Sequence, residues 1–216
     1  MDLLAVVVAD APNVDLTPYL PLLDSADLLI GADGGARHFI RHRRVPHVVL
    51  GDLDSLEPSL IPLLEAQQVG IQRFPAAKNE TDLELALLLA LERGATRIRV
   101  LGALGGRPDM HLANHLLLAH PLLKQCDVAL LGAGWQVRVV AKRIDLRGTP
   151  GQRVSLLPLG DVGGVTTGGL RYPLRDEPLL LGPARGVSNE FVSAAASVTI
   201  RSGLLVVMNE GETVLG

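Results

Sequence analysis

The sequence predicts an α/β protein in two parts. Residues 1–134 read as a largely parallel sheet with helices on both faces, and residues 135–216 as a β-sandwich. Three observations carry this expectation. As far as Gly134, short aliphatic runs alternate with segments of helical spacing, the pattern of parallel strands joined by crossover helices. Beyond Gly134 the runs lose helical periodicity and are separated by glycine- and proline-rich turns. Aspartates and glycines recur just after the aliphatic runs, where an open Rossmann-like sheet keeps its ligands.

Residues 3–9 are almost wholly aliphatic and stop at Asp10, which makes them a buried first strand. Pro12, Pro18 and Pro21 punctuate a segment with room for one helix. A second strand over 28–32 breaks at Asp33-Gly34-Gly35, a helix follows over 36–42, and a third strand covers 48–50. Helical spacing of Leu60, Ile61, Leu63 and Leu64 predicts a helix over 58–68, ending near Gly70, before a strand over 71–74. Residues 81–93 form the clearest helix: Thr81 and Glu84 have capping-box spacing, and Gly94 stands where a helix stops. Its body is apolar nearly all round, so it belongs between layers. Strands over 97–101 and 127–131 flank a helix around 112–118. The second part is expected to use strands over 137–140, 154–157, 198–200 and 204–207, with Gly163-Gly164 and Gly168-Gly169 as turns.

Composition narrows the function. With 48% hydrophobic and 20% charged residues, this is a well-filled globular chain, and no apolar stretch reaches the roughly 18 residues of a membrane span. A net charge of -3 without a basic block argues against nucleic acid. Cys126, the single cysteine, excludes intrachain disulfides and is expected to be core. A basic leader is absent from the first residues, so the expected location is the cytoplasm, with a small molecule as the partner.

Four junctions could do chemistry. Asp33-Gly34-Gly35 offers glycines through which backbone N–H groups can approach phosphate. Asp52 and Asp54, two apart in extended chain, share a face, and paired hard oxygens suit Mg²⁺ bound with substrate phosphates. Lys78 precedes Thr81 and Asp82 in the first turn of the capped helix. Gly105-Gly106-Arg107, with Asp109 opening the next helix, adds a guanidinium that can grip phosphate oxygens. In a parallel sheet these junctions share one edge, and carboxylates gathered there would repel one another unless a cation and a polyphosphate joined them. The Gly-x-x-x-x-Gly-Lys-Ser/Thr loop does not occur, so a nucleotide site of another kind is expected.

Taken in order, Asp33-Gly34-Gly35, Gly51-Asp52-x-Asp54-Ser55, Lys78-x-x-Thr81-Asp82-x-Glu84-x-Ala86-Leu87 and Gly105-Gly106-Arg107-x-Asp109-x-x-x-x-Asn114 resemble the motifs of thiamine pyrophosphokinases. The resemblance continues through Gly169-Leu170-Arg171-Tyr172-Pro173-Leu174 and Gly186-Val187-Ser188-Asn189-Glu190. It implies an ATP- and Mg²⁺-binding α/β domain, a thiamine-binding and dimerising β-sandwich, and a homodimer with active sites between subunits. It further implies transfer of a diphosphoryl group from ATP to the hydroxyethyl oxygen of thiamine, with release of AMP.

On that resemblance Asp52, Asp54 and Asp82 hold Mg²⁺, while Asp33, Gly34 and Gly35 hold metal or nucleotide. Lys78, Thr81 and Arg107 serve the phosphates, and Asp109, Asn114, Ser188 and Asn189 contact thiamine. One departure stands out: the family usually has histidine after Gly-Gly-Arg-x-Asp, whereas here Met110 holds that place and His111 comes next. His111 and His115 share a helix face, superficially like a zinc pair, in oxygen-rich and cysteine-free surroundings. The rival readings are the same scaffold acting on a pterin alcohol, and a Mg-nucleotide-binding module without catalysis.

Overall fold

The computed structural model describes residues 2–12 and 14–211, and it divides into two units between Gly132 and Ala133. In the first unit six parallel strands lie in the order β6-β5-β1-β2-β3-β4: β1 Leu3–Val8, β2 Leu28–Ala32, β3 Val48–Gly51, β4 Gly70–Arg73, β5 Ala95–Leu101 and β6 Asp127–Gly132. Among the described residues five α-helices accompany them: α1 Leu20–Ser25, α2 Ala36–Arg41, α3 Leu60–Ala66, α4 Asp82–Glu92 and α5 Pro108–Leu117. From β1 the chain runs outward through β2 and β3 to β4, then returns to add β5 and β6 on the other side of β1. That reversal opens a crevice between the loops leaving β1 and β5.

All but the edge strand β4 are largely buried because both faces are covered. Val6, Val8, Leu16, Leu22 and Phe39 form one apolar cluster, and Ala36, Val49, Leu56 and Leu64 another. Helix α4 packs on β1, β2, β3 and β5, and Leu83, Ala86, Leu87 and Ala90 are buried there. Its start is set as the spacing predicts: Thr81 Oγ1 accepts the Glu84 amide at 3.1 Å. The Glu84 carboxylate instead lies 3.7 Å from His120 Nε2, so only the threonine half of the box forms. Helix α5 begins at Pro108, four residues before the expected start, because proline at the first helical position is preset in φ and costs no hydrogen bond.

The second unit is two antiparallel sheets, β12-β9-β14-β7 and β11-β10-β13-β8. Their strands are β7 Trp135–Val140, β8 Arg143–Arg147, β9 Arg153–Pro158, β10 Val162–Gly168, β11 Glu177–Leu179, β12 Asn189–Glu190, β13 Ala195–Thr199 and β14 Leu205–Glu210. Phe191, Val154, Leu156, Val165, Val198 and Leu205 fill the space between the sheets. The glycine pairs expected as turns are a correction: Gly163, Gly164 and Gly168 lie inside β10. The ladder to β11 shifts register between Val162 and Val165, and Gly164 has φ +65°, so the pair makes a bulge rather than a reversal. No helix among the described residues is long and apolar enough to cross a membrane.

Candidate active site

At the carboxyl ends of β1, β2, β3 and β5, together with the start of α4, the first unit encloses a cavity of about 500 Å³. Asp33, Asp52, Lys78, Thr81 and Asp82 line it, with Gly102, Gly106 and Arg107 on the β5 side. Asp33, Asp52 and the exposed Asp54, which stands outside the cavity lining, each bring a carboxylate oxygen within 4.8 Å of the others. Among the described residues this is the group of acidic and histidine side chains with metal-holding geometry.

Local backbone explains the convergence. Asp33 (φ +48°) and Leu53 (φ +63°) adopt left-handed conformations that bend the chain sharply after β2 and between the paired aspartates. Gly51 has φ +142°, and a Cβ there would stand 3.0 Å from the Asp33 Cβ and 3.2 Å from Asp82 Oδ1. Only glycine lets three acid-bearing segments close around this point. Asp52 Oδ1 accepts the Asp54 amide at 3.2 Å, and the Ser55 hydroxyl donates to Asp54 Oδ1 at 3.1 Å, so the loop orients its own carboxylates.

The electrostatics are those of crowded acid. Burial raises the Asp33 carboxyl above the ordinary aspartate range, and the charges of Asp82 and Asp52 raise it further. Asp33 Oδ1 is buried without a hydrogen-bond partner. Lys78 Nζ stands 2.9 Å from Asp82 Oδ1, close enough for an ion pair but not oriented as a hydrogen bond, since that oxygen has no hydrogen-bond partner. Asp82 is thus the member neutralised by a cation, while Asp33 completes the triad with Asp52 and Asp54. Three clustered carboxylates, one of which keeps a buried oxygen without a partner, fit a hard divalent cation such as Mg²⁺.

Other expected residues are placed as follows. Arg107 is exposed and forms a two-point pair with Asp109 (Nε–Oδ1 3.1 Å, Nη2–Oδ2 2.6 Å), which holds the Asp109 carboxyl below its usual range. Asn114 lines the cavity but donates Nδ2 to the Ala103 carbonyl at 2.8 Å, so it secures the loop after β5. Gly34 and Gly35 are buried and do not line the cavity. Added side chains there would overlap Asp10 and the Val8 carbonyl, so these glycines allow the turn to pack on β1. In the second unit, Asn189 Oδ1 accepts the amides of Tyr172 and Glu190, each at 2.9 Å, and its Nδ2 donates to the Tyr172 carbonyl at 2.7 Å. Its side chain clasps the turn at Tyr172. The Ser188 amide donates to Ser155 Oγ at 3.1 Å. His115 spends its Nδ1 on the His111 carbonyl at 2.6 Å rather than turning toward a shared metal position.

Sequence reasoning missed Asp10, which lines the cavity from the end of β1 and is bound by Arg37 and, at 3.2 Å, by His38 Nε2. Its signal was present, an aspartate closing an aliphatic run, but its partners lie 27 and 28 residues away.

Comparison with known proteins covers both units. The family profile described as Thiamin pyrophosphokinase, catalytic domain, matches residues 19–130, and that described as Thiamin pyrophosphokinase, vitamin B1 binding domain, matches residues 141–205. Thiamine pyrophosphokinase of Bacillus subtilis is 28% identical over 208 residues, covering 94% of this chain and 96% of the relative. The rice (Oryza sativa subsp. japonica) Thiamine pyrophosphokinase 2 is 28% identical, covering 88% and 80%. The crystal structure of the Bacillus subtilis enzyme superposes with a TM-score of 0.85 at 27% identity, covering 97% of this chain and 99% of that one. Yeast thiamin pyrophosphokinase shares the fold at 16% identity, with a TM-score of 0.82 over 97% and 86%.

Proposed function

The chain belongs to the thiamin pyrophosphokinase family, and on that premise we propose that it transfers the diphosphoryl group of ATP to thiamine, giving thiamine diphosphate and AMP. The observation that carries this reading is the acidic triad of Asp33, Asp52 and Asp54, the first two lining a cavity that also presents Lys78 and a glycine-bearing loop. Such a site suits positioning and charge compensation, which is most of what phosphoryl transfer asks of a protein.

In the reaction, the hydroxyethyl oxygen of thiamine attacks the β-phosphorus of ATP. The bond from that phosphorus to the oxygen bridging to the α-phosphorus breaks, AMP leaves with that oxygen, and the hydroxyl proton is lost. Asp33, Asp52 and Asp54 would hold Mg²⁺, with Asp82 beside them; when bound, the ion offsets negative charge on the phosphate oxygens. Lys78 lies where its ammonium can pass from Asp82 to a phosphate oxygen. Arg107, on the exposed rim, can exchange its pairing with Asp109 for the same kind of contact. Thr81 and Asp82 set the first turn of α4 toward the cavity, where its N-terminal dipole favours anions.

The division into residues 1–134 for ATP and Mg²⁺ and 135–216 for thiamine binding and dimerisation belongs to the same proposal, as do homodimerisation, cytoplasmic residence and thiamine contacts from Asp109, Asn114, Ser188 and Asn189. The test is a phosphorus NMR assay with ATP, Mg²⁺ and thiamine. The expected products are thiamine diphosphate and AMP in equal amounts. ADP or free phosphate instead, or turnover only with a pterin alcohol, refutes the assignment.

A further inference from the structure

Where the family pattern has histidine this chain has Met110, and the histidine one place later does something specific. His111 lies in the first turn of α5, with its amide donating to the Arg107 carbonyl at 2.9 Å. Its ring Nδ1 accepts the amide of Gly105 at 2.7 Å. Gly105 and Gly106 have φ of +92° and +75°, and with Gly102, Ala103 and Arg107 they form one wall of the cavity. A Cβ on Gly106 would stand 2.9 Å from Pro12 Cδ, so this wall rests against the loop after β1. One turn along α5, His115 Nδ1 lies 2.6 Å from the His111 carbonyl, and the two rings are 4.6 Å apart. A carbonyl only accepts and an amide only donates. His115 therefore carries its proton on Nδ1, whereas the His111 Nδ1 is bare and its proton sits on Nε2.

We propose that His111 is a positioning residue that holds residues 102–107 in the one shape that completes the nucleotide-binding wall; this rests on the diphosphoryl transfer proposed above. Two adjacent glycines leave the loop wide conformational freedom, and the imidazole, fixed on a helix, removes it. Gly105 is exposed, so water can take over its N–H if the ring is lost, and the bond adds little to the stability of the fold. Its consequence falls on binding, because a loop released in the free protein has to be ordered when the phosphates arrive.

His111→Ala and His111→Asn separate these effects, since the asparagine Oδ1 can accept the Gly105 amide much as Nδ1 does. The expected result for His111→Ala is a KM for Mg·ATP raised about five-fold, with the KM for thiamine and the Tm nearly unchanged. His111→Asn restores the ATP value. An unchanged ATP KM in His111→Ala overturns the proposal. So do equal rises for both substrates with a falling Tm, or an asparagine variant no better than alanine. In the wild-type protein, nitrogen NMR of the ring should find Nε2 protonated and Nδ1 bare at mildly alkaline pH, and a protonated Nδ1 overturns it without any variant having to fold. A wild-type chain that makes no thiamine diphosphate refutes the proposed activity, whereas the ring spectrum reports on His111 alone.

Discussion

Neutralising Asp33 should stabilise the metal-free protein while removing its response to Mg²⁺. Carboxylate oxygens of Asp33, Asp52 and Asp54 lie within 4.8 Å of one another. Two unit charges at that separation repel by about 3 kcal/mol at the effective dielectric of a protein surface and by about 1 kcal/mol in water. Asp33 is half-buried and Asp54 exposed, so the working range for relief is about 1–3 kcal/mol. Asn keeps the left-handed backbone of Asp33, which most residues would strain. It leaves a neutral amide rather than an anion at the unpartnered buried position, a smaller desolvation cost. At this chain length about 2–4 °C of Tm accompanies each kcal/mol, so Asp33→Asn should melt about 2–12 °C above wild type in a chelator.

Adding Mg²⁺ should raise the wild-type Tm and barely move the variant. The pH dependence has a definite sign. Because the folded-state pKa of Asp33 is raised, its charge is destabilising above that pKa, and the penalty is relieved as pH falls through it. The gap between variant and wild type in chelator should therefore narrow on acidification. Thermal unfolding followed by circular dichroism reads all three effects. An Asp33→Asn protein that melts at or below wild type in chelator, or gains as much from Mg²⁺, refutes the view of the triad as a charge-crowded cation site.

Asp54→Ala removes an exposed carboxylate of the proposed cation site without opening the core, so turnover should fall by about a hundred-fold or more while the Tm stays within a few degrees; steady-state kinetics beside a melting curve checks both. Gly35→Ala drives a methyl into the Val8 carbonyl and should cost about 3 kcal/mol or more, seen as a lower urea midpoint with an unchanged slope. Burial, with the Asp127 charge behind it, pushes the Cys126 thiol up to about 11, so its alkylation by iodoacetamide should be slow at neutral pH and climb about ten-fold per pH unit. A fast, pH-flat reaction would contradict the half-buried placement beside Ala95.

Much of the fold was legible because burial writes itself into periodicity. Five of the six parallel strands of the first unit and the capped helix α4 follow from aliphatic runs and one threonine cap, whereas β4, with Ile71 as its one aliphatic residue, is an exposed edge. The strands that escaped are those whose cues are not hydrophobic. β10 is built largely of glycine and threonine and bulges at Gly163-Gly164, while β8 alternates charge with Ile144 and Leu146.

The site divides along the same line. Spacing along the chain shows which junctions reach the common edge, and Asp33, Asp52 and Asp82 do line one cavity there. How deep each carboxylate lies, and what it faces, depends on contacts across tens of residues that spacing does not encode. Asp82 carries its own cation four residues upstream in Lys78, so its charge is already answered. Asp33 has a cation four residues downstream in Arg37, but that guanidinium is spent on Asp10, and Asp33 sits against Asp52 and Asp54 because Gly51 leaves room for it. The glycines of Asp33-Gly34-Gly35 add a second constraint: the space a side chain would need is taken by the Asp10 carboxylate and the Val8 carbonyl, so packing alone already requires glycine there. A short acidic and glycine-rich sequence therefore specifies closeness, and whether that closeness serves a ligand or the strand behind it is decided by which side of the turn the missing Cβ would fill.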